Sequence, residues 1–349
     1  MINVLLDFHH SDLYYSLVLL LEKRFGWNLY RPIGNDWFDE GFWKIAEPYG
    51  NAPDTINQYL GINDKSWDAY KNLNGNYKLE DDVYKCYDPV HDYHHKAITL
   101  EKFKTMKFDY IISSIPAHDY SFAELRNKYQ PEAIHIAQIG NVGQSTHIPY
   151  VLCAAATLTD LRPDQKVVYY HQEFDLSTFA MVSDYTPNTI RCLMNGLPFT
   201  PDYPVYQRFK ERMTDWDFKS YGGSCDDGSL HNIKDIAKTI QDSQFIWQLK
   251  HTGDGFGHII HNAAACGKPL IVKKEYYSGQ LAEPLLEDGV TCITVDGKSD
   301  EQVEQEIRYY AQKPNYLRMS RNMRERFNQV VDYDEEAKKI KQFFLELSN

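Results

Sequence analysis

Apolar residues recur along the chain in two rhythms. Short unbroken runs read as strands buried on both faces, and stretches with apolar positions three or four apart read as helices. Val4, Leu5 and Leu6 form the first run, and the turn His9-His10-Ser11-Asp12 follows with Ser11 placed to cap a helix. Leu13, Leu17, Leu20, Leu21 and Phe25 then fall at helical spacing before Gly26, and Leu29 and Tyr30 begin the next run. Residues 2–31 therefore predict a βαβ unit, hence a parallel sheet whose ligands gather at the C-terminal ends of its strands. Strand-like runs return at 108–114, 133–139, 150–154 and 166–170, which predicts a doubly wound N-terminal domain. Residues 33–100 break the rhythm: rich in Trp, Tyr, Asn and Asp, they predict an irregular insertion.

Pro and Gly crowd positions 195–204, a composition that marks a linker. The expected division is 1–195 for the N-terminal domain, 196–215 for the linker, 216–330 for a C-terminal domain and 331–349 for a final helix. Residues 217–224 read as the first strand of the second domain with a turn at Gly222 and Gly223, and Ile233, Ile236 and Ile240 mark a helix. The run 245–249, the glycines 253, 255 and 257, a helix over 258–266 closed by Gly267, and the run 270–272 then give strand, Gly-rich loop, helix, strand. Three helical stretches close the chain, near 299–311, 314–329 and 334–348. Ala337, Ile340, Phe343, Phe344 and Leu347 give the last an apolar face.

The Gly-rich loop is the centre of the chemistry. Its backbone N–H groups and the following helix N-terminus converge on one spot, where an anion is stabilised by unpaired donors and the helix dipole. Asp254 lies in the loop and Asn262 eight positions later, about two turns along. Lys250, at the strand end, adds positive charge, and Gly222 and Gly223 offer a second backbone cradle for a diphosphate. A plain strand-to-helix connection with an Asp cap and a solvated Lys fits the same pattern.

Composition narrows the field without deciding it. Of 349 residues 43% are hydrophobic and 25% charged, values of an ordinary globular protein of about two domains. A net charge of −12 argues against a generally basic nucleic-acid surface, and the run Arg318, Arg321, Arg324 and Arg326 reads as a solvated helix face. The six Cys form no C-x-x-C pair and read as reduced thiols rather than a metal site or disulfide framework. His91-Asp92-Tyr93-His94-His95 carries metal-ligand types without supporting spacing, so a loop or helix start is the simpler reading. No apolar stretch is long enough for a membrane span and no basic region precedes the first apolar run, so a soluble cytoplasmic protein is expected.

The loop and helix resemble the nucleotide-sugar site of GT-B glycosyltransferases, above all the retaining, family-4-like group, phage-type members included. That group has an acidic residue, Gly, Phe, Gly, four intervening residues, a second Glu, then Ala and Gly-x-Pro; here the matching stretch is Asp254, Gly255, Phe256, Gly257, Asn262, the alanines 263–265, Gly267 and Pro269. The resemblance implies that Asp254 lies near the sugar and that Asn262, standing where the family has Glu, meets the ribose hydroxyls. Residues 279–289 look like the segment that closes over the donor, and Asn195-Gly196 like the turn at which the chain crosses between domains. It further implies an α/β GT-B fold: two Rossmann-like domains facing a central cleft, with a C-terminal helix crossing back to the N-terminal domain.

His171 matches the His that faces the donor sugar in this group, with Glu173 and Asp175 near enough in sequence to hold its tautomer or meet acceptor hydroxyls. His9 and His10 stand at a strand end, where one of them can serve as a proton acceptor. His118 and Asp119 are further acceptor-side candidates, and His10 or Asp119 becomes the base if the reaction inverts. The expected activity is transfer of a hexosyl or pentosyl group from a nucleotide-sugar, a UDP-sugar in the first instance, to an acceptor hydroxyl. No cofactor or metal is required, although a divalent ion is compatible. Small molecules, glycans and modified bases of phage DNA remain open as acceptors, and a nucleotide-sugar epimerase or non-catalytic binder fits the same fold.

Overall fold

The computed structural model describes residues 1–6, 11–32, 77–80, 83–98, 100–114, 116–156, 159–251 and 254–348. The chain forms two compact units, Met1–Ala154 with Thr159–Phe174 and Tyr333–Asn349, and Ala155–Leu158 with Asp175–Asp332.

The first unit is built on a nine-stranded sheet in the order β3-β4-β5-β2-β1-β6-β7-β8-β9. Its strands are β1 (Asn3–Leu6), β2 (Asn28–Pro32), β3 (Tyr77–Glu80), β4 (Val83–Asp88), β5 (Tyr93–Ile98), β6 (Tyr110–Ser113), β7 (Ile134–Ile139), β8 (Tyr150–Cys153) and β9 (Lys166–Tyr169). From β5 to β9 every neighbouring pair is parallel, the doubly wound pattern. Helix α1 (Ser11–Leu17) runs on as π-helical turns over Val18–Arg24 and links β1 to β2; α2 (Leu100–Thr105) and α3 (Pro116–Tyr129) precede β6 and β7.

Part of the expected insertion is regular. Residues 77–98 hold β3 and β4 antiparallel to each other and to β5, and β5 lies parallel to β2. The His91–His95 cluster is the turn into β5 and its first residues.

The last helix, α9 (Tyr333–Leu347), belongs to the first unit. Trp27 stacks on Tyr110 at 5.6 Å, and the Phe344 ring meets both edge-on at 5.1 and 4.8 Å. The Tyr110 hydroxyl donates to the Phe344 carbonyl at 2.9 Å, so the apolar face read from Ala337, Ile340, Phe343 and Phe344 is buried against aromatic rings.

The second unit is a five-stranded parallel sheet in the order β11-β10-β12-β13-β14. The strands are β10 (Thr189–Leu193), β11 (Asp217–Tyr221), β12 (Phe245–Gln248), β13 (Leu270–Val272) and β14 (Cys292–Thr294). Between and after them come α4 (Tyr203–Arg212), α5 (Ile233–Asp242), α6 (His258–Ala265), α7 (Asp300–Ala311) and α8 (Lys313–Val330). Ile190, Cys192, Phe245, Trp247, Ile271 and Ile293 form a core with Tyr206, Phe209, Val303, Ile307, Tyr316 and Met319.

The division differs from the expected one by about twenty residues, since the long stretch of the second unit begins at Asp175, where the N-terminal domain was expected to run on to 195. The reason is β10: it is an inner strand of the second sheet, between β11 and β12, so β11 is not that sheet's first strand. Residues 196–215, expected as a linker, hold the 3-10 turn Leu197–Phe199 and α4, whose Tyr206 and Phe209 rings meet Trp247 at 5.7 and 5.3 Å. Pro198 and Pro204 stand in the first turns of those helices, where a missing N–H costs no hydrogen bond. Among the described residues no helix is long and apolar enough to cross a membrane.

Candidate functional site

The C-terminal edge of the second sheet is assembled from loops that follow its parallel strands. β12 is buried along its whole length, and the loop after it delivers α6. Gly257 caps that helix at φ +78°, a left-handed conformation that glycine takes without strain. A Cβ there would lie 3.4 Å from the Ala282 Cβ, so the 278–283 loop packs against the start of α6. The helix ends in a Schellman pair: Gly267, at φ +65°, donates to the Ala264 carbonyl at 3.0 Å, and Lys268 donates to that of Ala263 at 2.8 Å.

This geometry leaves donors at the start of α6. The first intrahelical bond runs from His261 N–H to the Gly257 carbonyl at 3.1 Å, so the N–H groups of Ile259 and Ile260 precede it. Phe256 is buried, stacked on His261 at 4.0 Å and edge-on to His258 at 4.9 Å, which locks the loop onto the helix. His261 Nδ1–H in turn donates to the Gly257 carbonyl at 3.0 Å.

Asn262 lies one turn along from His258 and is only 5% exposed. Its Oδ1 meets no hydrogen-bond donor among the described residues. A buried amide oxygen of this kind costs about 1–3 kcal/mol unless a donor reaches it. Lys250 and Asp254 form an ion pair across the loop, so the cation expected for an anion is held by a carboxylate. Tyr277 lies close by: burial first, and then the Asp254 carboxylate, push its hydroxyl pKa up. Gly255 is buried in the loop, and Gly253 lies outside the described residues.

Gly222 and Gly223 have a different role from the one expected. Both amides are engaged within the fold: Gly222 N–H donates to the Gly228 carbonyl at 2.8 Å, and Gly223 N–H to the Asn195 Oδ1 at 2.9 Å. They are therefore not standing donors for a diphosphate. Gly222 is required because a Cβ would sit 2.9 Å from the Asn195 backbone, in a loop already at φ +143°. Gly196 N–H bonds the Gly223 carbonyl at 2.8 Å, so the turns after β10 and β11 form one rigid pair.

In the first unit, His171 follows β9. Glu336, in the first turn of α9, accepts from its backbone N–H at 2.8 Å and from its Nδ1 at 2.5 Å. The neighbours expected to hold that imidazole are occupied elsewhere. Glu173 takes a guanidinium fork from Arg24 at 2.8–2.9 Å, and Arg24 also reaches Asp334 at 2.5 Å. Asp175 opens the second unit and caps the turn holding Ser177 and Thr178; against the effect of burial, those hydrogen bonds lower its pKa.

Asp119 is 1% exposed, too enclosed to reach an acceptor as it stands. It accepts from the hydroxyls of Ser113, at 2.5 Å, and of Thr146, while Ser113 accepts from His135 Nε2 at 2.9 Å. These bonds tie the ends of β6 and α3 to the 146 loop. His118 takes its place in the first turn of α3, and His9 and His10 lie outside the described residues. His91 is buried between Asp12, at 3.1 Å, and Asp88, at 3.0 Å. Among the described residues no group of three or more His, Cys, Asp or Glu is placed to hold a metal ion.

The basic run on α8 is not a bare face. Arg324 caps the end of α6 through the Ala265 carbonyl, and Arg326 binds the Pro284 carbonyl at 2.9 Å and Glu287. Glu336 was missed from sequence because an acid in a helix's first turn is ordinary, and nothing links it to a His 165 residues away.

A family model described as glycosyl transferase-like matches residues 205–342. A search with the sequence among curated proteins finds no match. Among solved structures, the Anabaena protein HepE in complex with UDP-glucose is 10% identical with a TM-score of 0.60, covering 99% of this chain and 100% of its own. The pneumococcal O-GlcNAc transferase GtfA in complex with UDP and GlcNAc is 10% identical with a TM-score of 0.56, covering 99% of both chains. A glycosyltransferase from Rickettsia africae is 11% identical with a TM-score of 0.56, covering 99% and 98%. The protein thus has the α/β GT-B fold of glycosyltransferases.

Proposed function

We propose that the protein is a glycosyltransferase that takes a nucleotide-sugar, a UDP-sugar in the first instance, and moves its sugar to an acceptor hydroxyl. The observation that carries this reading is the start of α6, where helix N–H groups stand one turn from a buried Asn262 Oδ1 that meets no donor among the described residues. The N–H groups suit a diphosphate and the Oδ1 suits a ribose hydroxyl. Solved structures of the same fold in complex with UDP or UDP-glucose support the choice of donor.

Transfer breaks the bond between the anomeric carbon and the diphosphate oxygen and forms one to the acceptor oxygen, whose proton passes to the departing diphosphate oxygen if the configuration is retained and to a base if it inverts. The diphosphate departs with added negative charge, which the N–H groups and the α6 dipole stabilise without reorganising. Lys250 contributes once the incoming phosphates compete for it with Asp254. Asp254 is then free to take sugar hydroxyls. No metal is required in this scheme. His171 is proposed for the transfer step, with His10 as the base if the configuration inverts and His9 and His118 on the acceptor side. Asp119 and Glu173 are proposed to support acceptor binding through the elements they fix rather than by direct contact.

The test is the shift in melting temperature with UDP, GDP, ADP and their sugars, for wild type and Asp254→Ala. Binding to the native state alone stabilises by about 2.7 kcal/mol at a hundredfold excess over Kd. A shift confined to uridine nucleotides, with the sugar's extra effect lost in Asp254→Ala, is expected; no shift with any nucleotide contradicts the reading. Incubating the preferred donor alone then separates transfer from epimerisation, which changes the sugar with no acceptor present.

A further inference from the structure

We propose that Glu336, at the start of the final helix, is the positioning residue that fixes the tautomer and orientation of His171; the inference rests on the role proposed for His171 above. One carboxylate takes two hydrogen bonds from one residue, from the backbone N–H at 2.8 Å and from Nδ1 at 2.5 Å. An ionised carboxylate only accepts, so Nδ1 carries a proton, and in the neutral ring Nε2 is the nitrogen with a lone pair. The backbone bond holds the Cα in register with the same carboxylate, leaving the ring little freedom about χ1 and χ2.

The rest of the helix start is arranged around the same three residues. The Tyr333 hydroxyl donates to the Gln172 carbonyl at 3.2 Å, and the Tyr333 ring meets Phe174 edge-on at 6.0 Å. Asp334 shares Arg24 with Glu173, whose own N–H donates to Ser16 Oγ at 2.8 Å. Residues 171, 172 and 173 are thus each tied, directly or through Arg24, to the first turn of α9. A bond needed only to dock the helix would be served by Phe344 and Tyr333, which are already buried. Placing a carboxylate on the imidazole as well sets its chemistry.

The test follows the ring nitrogens of His171 by NMR in protein labelled with 15N-histidine, assigned with His171→Gln. Wild type is expected to carry the proton on Nδ1, and Glu336→Ala to move it to Nε2. Release of UDP from UDP-glucose is expected to fall about 100-fold in Glu336→Ala with UDP affinity unchanged, the loss a misplaced acid–base group brings. Glu336→Gln, which keeps one carbonyl acceptor, is expected to fall between the two and guards against a variant that does not fold. A wild-type proton on Nε2, a ring unchanged by Glu336→Ala, or a shifted ring with undiminished UDP release would each overturn the proposal. The ring measurement needs no ligand, so it decides the positioning claim even if wild type neither binds UDP nor releases it, an outcome that sinks the functional reading instead.

Discussion

The two units use the polar side chains at their strand ends in opposite ways. In the first, Asp119 is held by Ser113 and Thr146, Glu173 by Arg24 and the Nδ1 side of His171 by Glu336, so these three groups have partners within the fold. In the second, the start of α6 presents N–H groups ahead of the first helical bond, and the Asn262 Oδ1 lacks a donor among the described residues. Polar residues at a parallel sheet's C-terminal edge thus do two kinds of work, and residue type does not separate them. Hydrogen-bond accounting does: a buried group with its partners already present stabilises the fold, and the Asn262 Oδ1, on a helix's first turns at a strand-end loop, is placed to take a ligand's donor.

Asp119→Ala separates the two kinds of group by the largest effect. It leaves two buried hydroxyls without their acceptor and is expected to destabilise the first unit by about 3 kcal/mol in urea unfolding. Its UDP affinity is expected to stay at the wild-type value. A folded, equally stable variant that loses UDP binding would show that Asp119 belongs with the ligand-directed groups.

A smaller effect separates the units by pH. Burial alone would lower the pKa of His91, but hydrogen bonds to Asp12 and Asp88 carry it up to about 9. Its folded value lies above its unfolded one, so its stabilisation is present below about pH 6.5 and is lost as pH rises through about 9. Lys268 behaves oppositely. It is 1% exposed, 5.7 Å over the Tyr185 ring, and burial brings its pKa down to about 8. Its cost is carried below that value and is relieved as pH rises from about 8 towards 10.5. Urea melts at about pH 7.5 and about pH 9.5 are expected to show wild type gaining about 2 kcal/mol on Lys268→Met and losing about 2 kcal/mol on His91→Gln. Equal changes in the variants would contradict both assignments.

What could be read from the sequence follows the same line. β12 is apolar but for Gln248, β13 is an unbroken apolar run, and Gly257 and Gly267 bracket α6, so the central strand–loop–helix–strand unit was legible from local chemistry alone. The three closing helices were legible because their apolar periodicity is long and regular. β4 and β5 were not: Lys85, Tyr87, His94 and Lys96 interrupt them, as side chains on a sheet margin can. The prolines near 200 read as a linker because Pro marks loop and first helical turn alike. The helix N-terminus and Asn262 were legible as a candidate site because spacing along one helix is a local property. The engagement of Gly222, Gly223 and His171 was not, since their partners Gly228, Asn195 and Glu336 are identified only by folding.

The central claim is that the second unit holds the donor's nucleotide through the start of α6 and Asn262. Isothermal titration of UDP into wild type and Asn262→Ala tests it most directly. Losing one well-aligned buried hydrogen bond is expected to weaken UDP about tenfold, the equivalent of about 1.4 kcal/mol. Glu336→Ala, in the first unit, is expected to titrate as wild type does. UDP binding of undiminished strength in Asn262→Ala would contradict the account.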